Sequence, residues 1–269
     1  MGDFDFKVIN AEVEIQHIID EIKKYFVENG NKDTKAVIGI SGGKDSTIAA
    51  ALLVRALGAD RVIGVKMPNG TQSDIDDAVE VCNLLGIRHF NINIGDAYNH
   101  LIAGFMNTNL NVNSQIETNT PARLRMTTLY MVAAAVGGRV INTGNASELY
   151  VGYTTKYGDL AGDFAILKDY YVREVLEIGD NLDEIPAHLI HKAPGDGMSG
   201  KTDEDNMGFS YDVLDAYLLD EVVPEYETLR NIEERHQRNI HKRTVALPYI
   251  HAKTRKWHEN SNKEPYIWF

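Results

Sequence analysis

The sequence predicts an α/β fold, a parallel sheet flanked by helices with a helical extension towards the carboxyl end. Two observations predict it. Short apolar runs at Ala36–Ile40, Arg61–Val65, Arg88–Ile94 and Arg139–Asn142 alternate with segments of helical character, the pattern of strands joined by crossover helices. Two unusual loops, after Ile40 and after Asn142, follow such runs, where open α/β sheets bind their ligands.

Each element has a local reason. From Ala11 to Glu28, Val13, Ile15, Ile18, Ile19, Ile22, Tyr25 and Phe26 recur near helical spacing, and Gly30 stops the run. Ala36–Ile40 reads as a buried strand that breaks abruptly into Ser41-Gly-Gly-Lys-Asp-Ser46. The Ala/Leu-rich stretch Thr47–Leu57 is a strong helix former closed by Gly58. Arg61–Val65 is a second strand and Pro68–Gly70 a turn; Ser73, followed by first-turn acids, caps a helix that ends at Gly86. A third strand covers Arg88–Ile94. Asn99–Asn113 fits no single element, Arg123–Val136 reads as a buried helix, and Arg139–Asn142 as the fourth strand. Beyond Tyr150 the pattern loosens. The polar, glycine-rich stretch Lys192–Phe209 is too long for an ordinary connection and reads as a lid or binding loop; helices at Tyr211–Leu219 and Pro224–Arg238 precede a basic tail. With no convincing linker, residues 1–269 are expected to form one domain.

Composition narrows the function. The 269 residues are 43% hydrophobic and 25% charged, with 27 Lys and Arg against 39 Asp and Glu, a formal charge of −12. Such an acid surplus repels phosphate backbones and anionic membranes, so neither nucleic acid nor a membrane is an expected partner. Cys82 is the only cysteine, which excludes an internal disulfide, a CxxC pair and a cysteine-rich zinc site. The acidic start lacks a basic region and an apolar core, and no run of about 18 apolar residues exists; a cytoplasmic location is expected.

The loop after the first strand carries the chemistry. Its glycine pair lets backbone N–H groups approach an anion, and the helix opening near Asp45 adds the positive end of its dipole. Lys44 and the hydroxyls of Ser41, Ser46 and Thr47 complete a phosphate cradle. It is not a Walker A loop, because Gly39 lies too close to Gly43 and Asp45 follows Lys44. A carboxylate beside a phosphate nest needs a cation between them, so Asp45 implies Mg²⁺. Glu148, five residues past Thr143 on the other loop, lies on the same sheet edge and could share that cation. Arg123 and Arg125, two apart, point to different sides of a helix, so one could reach a ligand while the other holds structure. Lys156 and Asp159 belong to a glycine-punctuated loop that could clamp a polar ring.

Ser41-Gly-Gly-Lys-Asp-Ser46 resembles the pyrophosphate loop of the ATP pyrophosphatases. Further stretches are similar, in the same order, to the ammonia-dependent NAD synthetases within that superfamily: Pro68–Ala78, Ala122-Arg-Leu-Arg-Met126, Thr143–Glu148 with Tyr153-Thr-Thr-Lys-Tyr-Gly-Asp159, Gly208–Asp212 and His241-Lys-Arg243. The resemblance runs from about residue 10 to residue 245. It implies a Rossmann-like, adenine nucleotide alpha hydrolase-like fold, ATP held by Gly39, Ser41, Gly42, Gly43, Lys44, Asp45, Ser46, Gln72 and Thr143, and Mg²⁺ held by Asp45 and Glu148. It implies that Arg123, Lys156, Asp159, Asp163, His241 and Lys242 bind deamido-NAD. Arg173 is the nearest cation where the family has an ATP-binding lysine, and Gly195 and Asn206 also depart from the family pattern.

The implied reaction amidates deamido-NAD with ammonia, ATP going to AMP and pyrophosphate through an acyl-adenylate. Lys44, Asp45 and Asp159 are the expected catalytic residues, with Asp159 or Asp163 orienting ammonia. Glutamine-using relatives carry an extra amidotransferase domain, for which this chain has no spare residues, so free ammonia is expected. A homodimer is also implied, with the Arg123–Val136 helix as a candidate contact. The competing readings are a tRNA-modifying ATP pyrophosphatase, disfavoured by the −12 charge and lone cysteine, and a non-catalytic nucleotide sensor, which does not need Asp45 and Glu148 together.

Overall fold

The computed structural model describes residues 9–70, 75–192 and 202–243. In chain order the elements are α1 (Ala11–Glu28), β1 (Lys35–Gly39), α2 (Lys44–Leu57), β2 (Val62–Lys66), α3 (Ile75–Leu84), β3 (Arg88–Asn91), α4 (Gly95–Met106), α5 (Ser114–Val136), β4 (Gly138–Asn142), α6 (Ala146–Val151), β5 (Phe164–Ala165), α7 (Val172–Asp180), α8 (Ala187–Ile190), α9 (Asp203–Met207), α10 (Tyr211–Leu218), α11 (Tyr226–Arg238) and α12 (Ile240–Arg243). The sheet order is β3-β2-β1-β4-β5, and every pairing is parallel. The chain steps outward from β1 through β2 to β3, then crosses to the other side of β1 for β4. The crevice outside the carboxyl ends of β1 and β4 is therefore the topological switch point, where sheets of this kind bind ligands.

Burial on both faces explains the apolar strands. One cluster packs α1, α2, α7 and α8 on the sheet through Ile22, Phe26, Ile38, Ile48, Leu52, Val175, Ile178 and Leu189; another packs α5 on the opposite face through Val37, Val65, Val132, Ala133 and Val140. A third, with Val151, Met207, Phe209, Tyr211, Leu214 and Ile232, gathers α6, α9, α10 and α11 beside the carboxyl rim. Cys82 is buried in α3, and burial pushes its thiol up to about 11.

The four expected strands and their helices stand, with ends moved by one to three residues. The remaining differences have physical causes. Asn99–Asn113, which fitted no element, is divided between the end of α4 and an irregular connection. The helix expected over Arg123–Val136 begins at Ser114, capped by the Asn113 side chain on Ile116 N, and accommodates Pro121 within it. It is not buried throughout: only Pro121, Thr128, Val132 and Ala133 are, while Met131 stands exposed. The loosened stretch beyond Tyr150 contains β5, whose two residues are too short to give a period, and α7 and α8. The expected loop Lys192–Phe209 contains α9, capped by Thr202 and Asp205; Gly195 and the rest of 193–201 lie outside the described residues, as do Gln72 and the expected cap Ser73. No described helix is long and apolar enough to cross a membrane.

Candidate active site

Backbone geometry builds the first half of the site. β1 ends at Gly39 and the chain turns through Ser41 and Gly42, whose φ of 80° suits a residue without Cβ. Gly43 is the N-cap of α2. The hydroxyls bond within the loop itself. Ser46 Oγ donates to Gly43 O at 3.1 Å and lies 3.1 Å from Ser41 Oγ, Thr47 Oγ1 donates to Gly43 O at 2.8 Å, and Gly43 N donates to Ser41 Oγ at 3.2 Å. The leading N–H groups of α2 have no acceptor within the helix, so an anion at this turn meets unpaired donors and the dipole together.

The second half comes from the loop after β4. Asn142 at the strand end donates to Asp159 O at 2.7 Å and accepts from Gly144 N at 2.9 Å, with half-buried Thr143 between. Asn145 caps α6 in a capping box with Glu148: its side chain accepts from Glu148 N at 3.0 Å, and Glu148 Oε2 accepts from Asn145 N at 3.2 Å. The Asn145 Nδ2 also donates to Asp45 Oδ1 at 3.2 Å. One residue thus bridges the two acids across the switch point, its backbone N–H on Glu148 and its side-chain amide on Asp45.

The two acids also act on each other electrostatically. Burial and the Asp45 charge push the Glu148 carboxyl well above the usual carboxylate range, against the pull of Lys44. Lys44 is 5% exposed, with its ammonium 2.8 Å from Asp45 Oδ2; burial alone would lower its pKa, yet Asp45, Glu148 and Asp203 raise it. The ammonium also lies 5.8 Å from the Tyr211 ring centroid. The Tyr211 hydroxyl is driven up by burial and by Glu148, Asp203 and Asp45. Asp45, Glu148 and Asp203 all act on the one ammonium of Lys44, a surplus of acids that suits a further positive charge. The chemistry suits Mg²⁺, which takes one or two protein carboxylates and completes its shell with water and phosphate oxygens. Among the described residues no group of three or more His, Cys, Asp or Glu side chains is arranged to hold a metal alone.

A second cluster joins most of the residues expected to hold the dinucleotide. Arg123 Nε donates to Lys156 O at 3.3 Å, and Lys156 Nζ donates to His241 O at 2.6 Å. Asp159 accepts from Thr155 N at 2.5 Å, and that amide and the Lys242 charge favour its ionised form. Lys242 donates to Gly152 O at 2.7 Å and Thr154 O at 2.8 Å, so its ammonium is engaged by the chain. Arg125 donates from Nε to Met67 O at 3.0 Å, at the end of β2. Two expected residues lie elsewhere. Asp163 accepts from Val140 N at 2.8 Å and Tyr130 O–H at 3.2 Å, against the middle of β4. Arg173 on α7 pairs with Glu221 at 2.9 Å. Reasoning from sequence passed over Asn142, Asn145, Asp203 and Tyr211; for Asn145 the N-x-x-E spacing of a capping box was the available signal.

An open parallel sheet with a phosphate cradle after its first strand and a paired acid across the switch point defines a nucleotide-binding α/β protein. The family model described as NAD synthase matches residues 14–246. The chain belongs to the NAD synthase family. It is 39% identical over 202 residues to an NH(3)-dependent NAD(+) synthetase of Pyrococcus horikoshii, covering 75% of this chain and 76% of the relative. It is 34% identical over 248 residues to that of Alkaliphilus metalliredigens, covering 88% and 98%. Among solved structures, an NMN synthetase from Francisella tularensis superposes with a TM-score of 0.82 at 34% identity, over 90% of this chain and 99% of the other. The NH3-dependent NAD synthetase of Campylobacter jejuni gives a TM-score of 0.71 at 26% identity, over 90% and 99%.

Proposed function

We propose that this chain converts deamido-NAD, ATP and free ammonia into NAD, AMP and pyrophosphate. The observation that carries the reading is the convergence of Lys44, Asp45 and Glu148 at the switch point, in a chain whose relatives are NH(3)-dependent NAD(+) synthetases.

A nicotinate carboxylate is a poor electrophile, since hydroxide would have to leave. In the first step its oxygen attacks the α-phosphorus of ATP, and the bond to the bridging oxygen breaks with its electron pair leaving on pyrophosphate. The Lys44 ammonium and the leading amides of α2 receive that charge. Asp45 and Glu148 would hold Mg²⁺, which when bound neutralises phosphate charge. Ammonia then adds to the acyl carbon of the adenylate, a proton leaves the nitrogen, and AMP departs. Asp159, exposed in the loop that carries Lys156, is the acid we assign to orient ammonia. Arg123, Lys156 and His241 hold the pyridine nucleotide. Around this core we place a cytoplasmic homodimer, a single functional unit over residues 1–269; exposed Leu101 and Met106 on α4 and Met131 on α5 support a second copy at that face.

A second reading replaces the dinucleotide by its mononucleotide. It is favoured by the TM-score of 0.82 to the NMN synthetase from Francisella tularensis, against 0.71 to the NAD synthetase of Campylobacter jejuni. One experiment separates the two. The chain is incubated with ATP, Mg²⁺ and ammonium, and with deamido-NAD or deamidated NMN, and the products are resolved; glutamine replaces ammonium in a parallel arm. NAD formed at the higher kcat/KM supports the first reading, and NMN the second. Pyrophosphate release that requires tRNA, with neither product formed, overturns both.

A further inference from the structure

Helix α6 carries Glu148 on only six residues, too few to hold itself by its own hydrogen bonds. Its amino end is closed by the Asn145 capping box and by Ser147, whose hydroxyl donates to buried Asp215 at 2.5 Å. At its other end the final carbonyls lack intrahelical donors. Side chains from a single short segment meet them. Arg243 Nη1 donates to Leu149 O at 3.1 Å and to Tyr150 O, and Asn239 Nδ2 donates to Val151 O at 3.1 Å. Lys242 continues the series on Gly152 O and Thr154 O. Five carbonyls between residues 149 and 154 are thus covered by residues 239–243, and Lys156 returns the contact on His241 O.

The packing is close enough to dictate sequence. Gly152 has φ 65°, and a Cβ there would lie 2.2 Å from the Asn239 Cβ. Arg243 is itself anchored: its Nη2 donates to His236 O at 3.0 Å and lies 3.2 Å from His236 Nε2, while the His236 ring lies against Tyr150 at 4.0 Å. None of the contacts of Asn239 and Arg243 reaches Lys44, Asp45 or the serine–glycine turn.

We propose that Asn239 and Arg243 are positioning residues, forming a strap that orients the end of α6 and the 152–159 loop for the pyridine nucleotide while leaving the ATP loop untouched. The proposal rests on the reading of that loop as the pyridine-nucleotide clamp. Its test uses the full chain and the variants Arg243→Met, Arg243→Lys and Asn239→Ala. Misplacing a substrate-positioning loop by an ångström carries a penalty up to about 100-fold, so Arg243→Met is expected to raise the KM for the pyridine nucleotide by about 10-fold or more, with the KM for ATP within about 3-fold. Arg243→Lys, which keeps the charge without the fork, recovers part of the loss, and Asn239→Ala moves the same KM in the same direction. Amide exchange over residues 149–156 accelerates in Arg243→Met while that of α2 does not. A pyridine KM unchanged in Arg243→Met and Asn239→Ala, or both substrates' KM values rising in parallel with a falling thermal midpoint, overturns the proposal in favour of plain structural support. Should the unmodified chain amidate neither pyridine nucleotide, the functional reading fails on its own, and the exchange measurement decides the strap: unchanged exchange over 149–156 overturns it.

Discussion

At the scale of single residues, Asn145 is the side chain on which the site turns. It caps α6, binds Glu148 through its backbone N–H and reaches Asp45 with its amide, so the two acids are held at a fixed separation before any cation arrives. Because burial and the Asp45 charge raise the Glu148 carboxyl, a Mg²⁺ ion held there as proposed would displace a proton from it. Titration calorimetry with Mg²⁺ alone should therefore show affinity rising as pH is raised from 6 to 8, by up to about 10-fold per unit. In Glu148→Gln that pH dependence should vanish. Asp45→Asn, which removes the charge that meets both Lys44 and the cation, should lower kcat/KM by about 100-fold or more while the chain stays folded by circular dichroism.

Asp215 supplies a stability prediction at the same scale. It is 1% exposed, and burial lifts it from 3.8 to about 6 despite hydrogen bonds from Ser147 and the Arg173 N–H. A folded-state pKa above the unfolded value means that the favourable protonated form contributes fully below pH 4 and is lost as pH rises through about 6. The stability of Asp215→Asn relative to the parent chain should then improve by roughly 2 kcal/mol between pH 4 and pH 7, read from urea midpoints. A difference that stays flat across that range would show that Asp215 remains ionised.

At the scale of elements, α6 is a helix made by its surroundings. Six residues lie below the length at which local hydrogen bonding sustains a helix, and its ends are secured by α10 through Asp215 and by α11–α12 through Asn239 and Arg243. Gly152→Ala should consequently be costly. It combines a left-handed φ of 65° with a Cβ placed 2.2 Å from the Asn239 Cβ, and a loss of about 2–4 kcal/mol is expected from thermal unfolding. By contrast α2 is stable on local grounds: its Ala/Leu composition favours the helix, and Ile48 and Leu52 are fully buried beneath it.

At the scale of the whole molecule, the sheet order places β1 and β4 side by side although about a hundred residues separate them. That adjacency brings Asp45 and Glu148 together. The exposed apolar residues Leu101 and Met106 of α4 and Met131 of α5 support the proposed homodimer. Light scattering should give twice the chain mass, and Leu101→Glu with Met131→Glu should halve it. A monomer before substitution would remove the dimer from the reading while leaving the rim chemistry intact.

Much of this was legible in the letters because it depends on near neighbours. The apolar runs reported four of the five strands, the glycine–serine loop with Lys44 and Asp45 reported the anion cradle, and the spacing from Thr143 to Glu148 reported the second acid. What depends on contacts across the chain could not be read. Arg173 is paired with Glu221, and Asp163 is held by Val140 and Tyr130, because the partners that settle a charged side chain lie tens of residues away. Lys242, expected to bind the dinucleotide, donates to two carbonyls that sequence does not reveal. Strand β5 has two residues, too few to show a period, and exists only because β4 offers an edge. Local sequence determined the elements and the type of chemistry, since propensity, periodicity and turn geometry act within a few residues. Which of the chain's charged groups meet at the rim was decided only by tertiary packing, where burial removes water and leaves each charge to the partner that the fold provides.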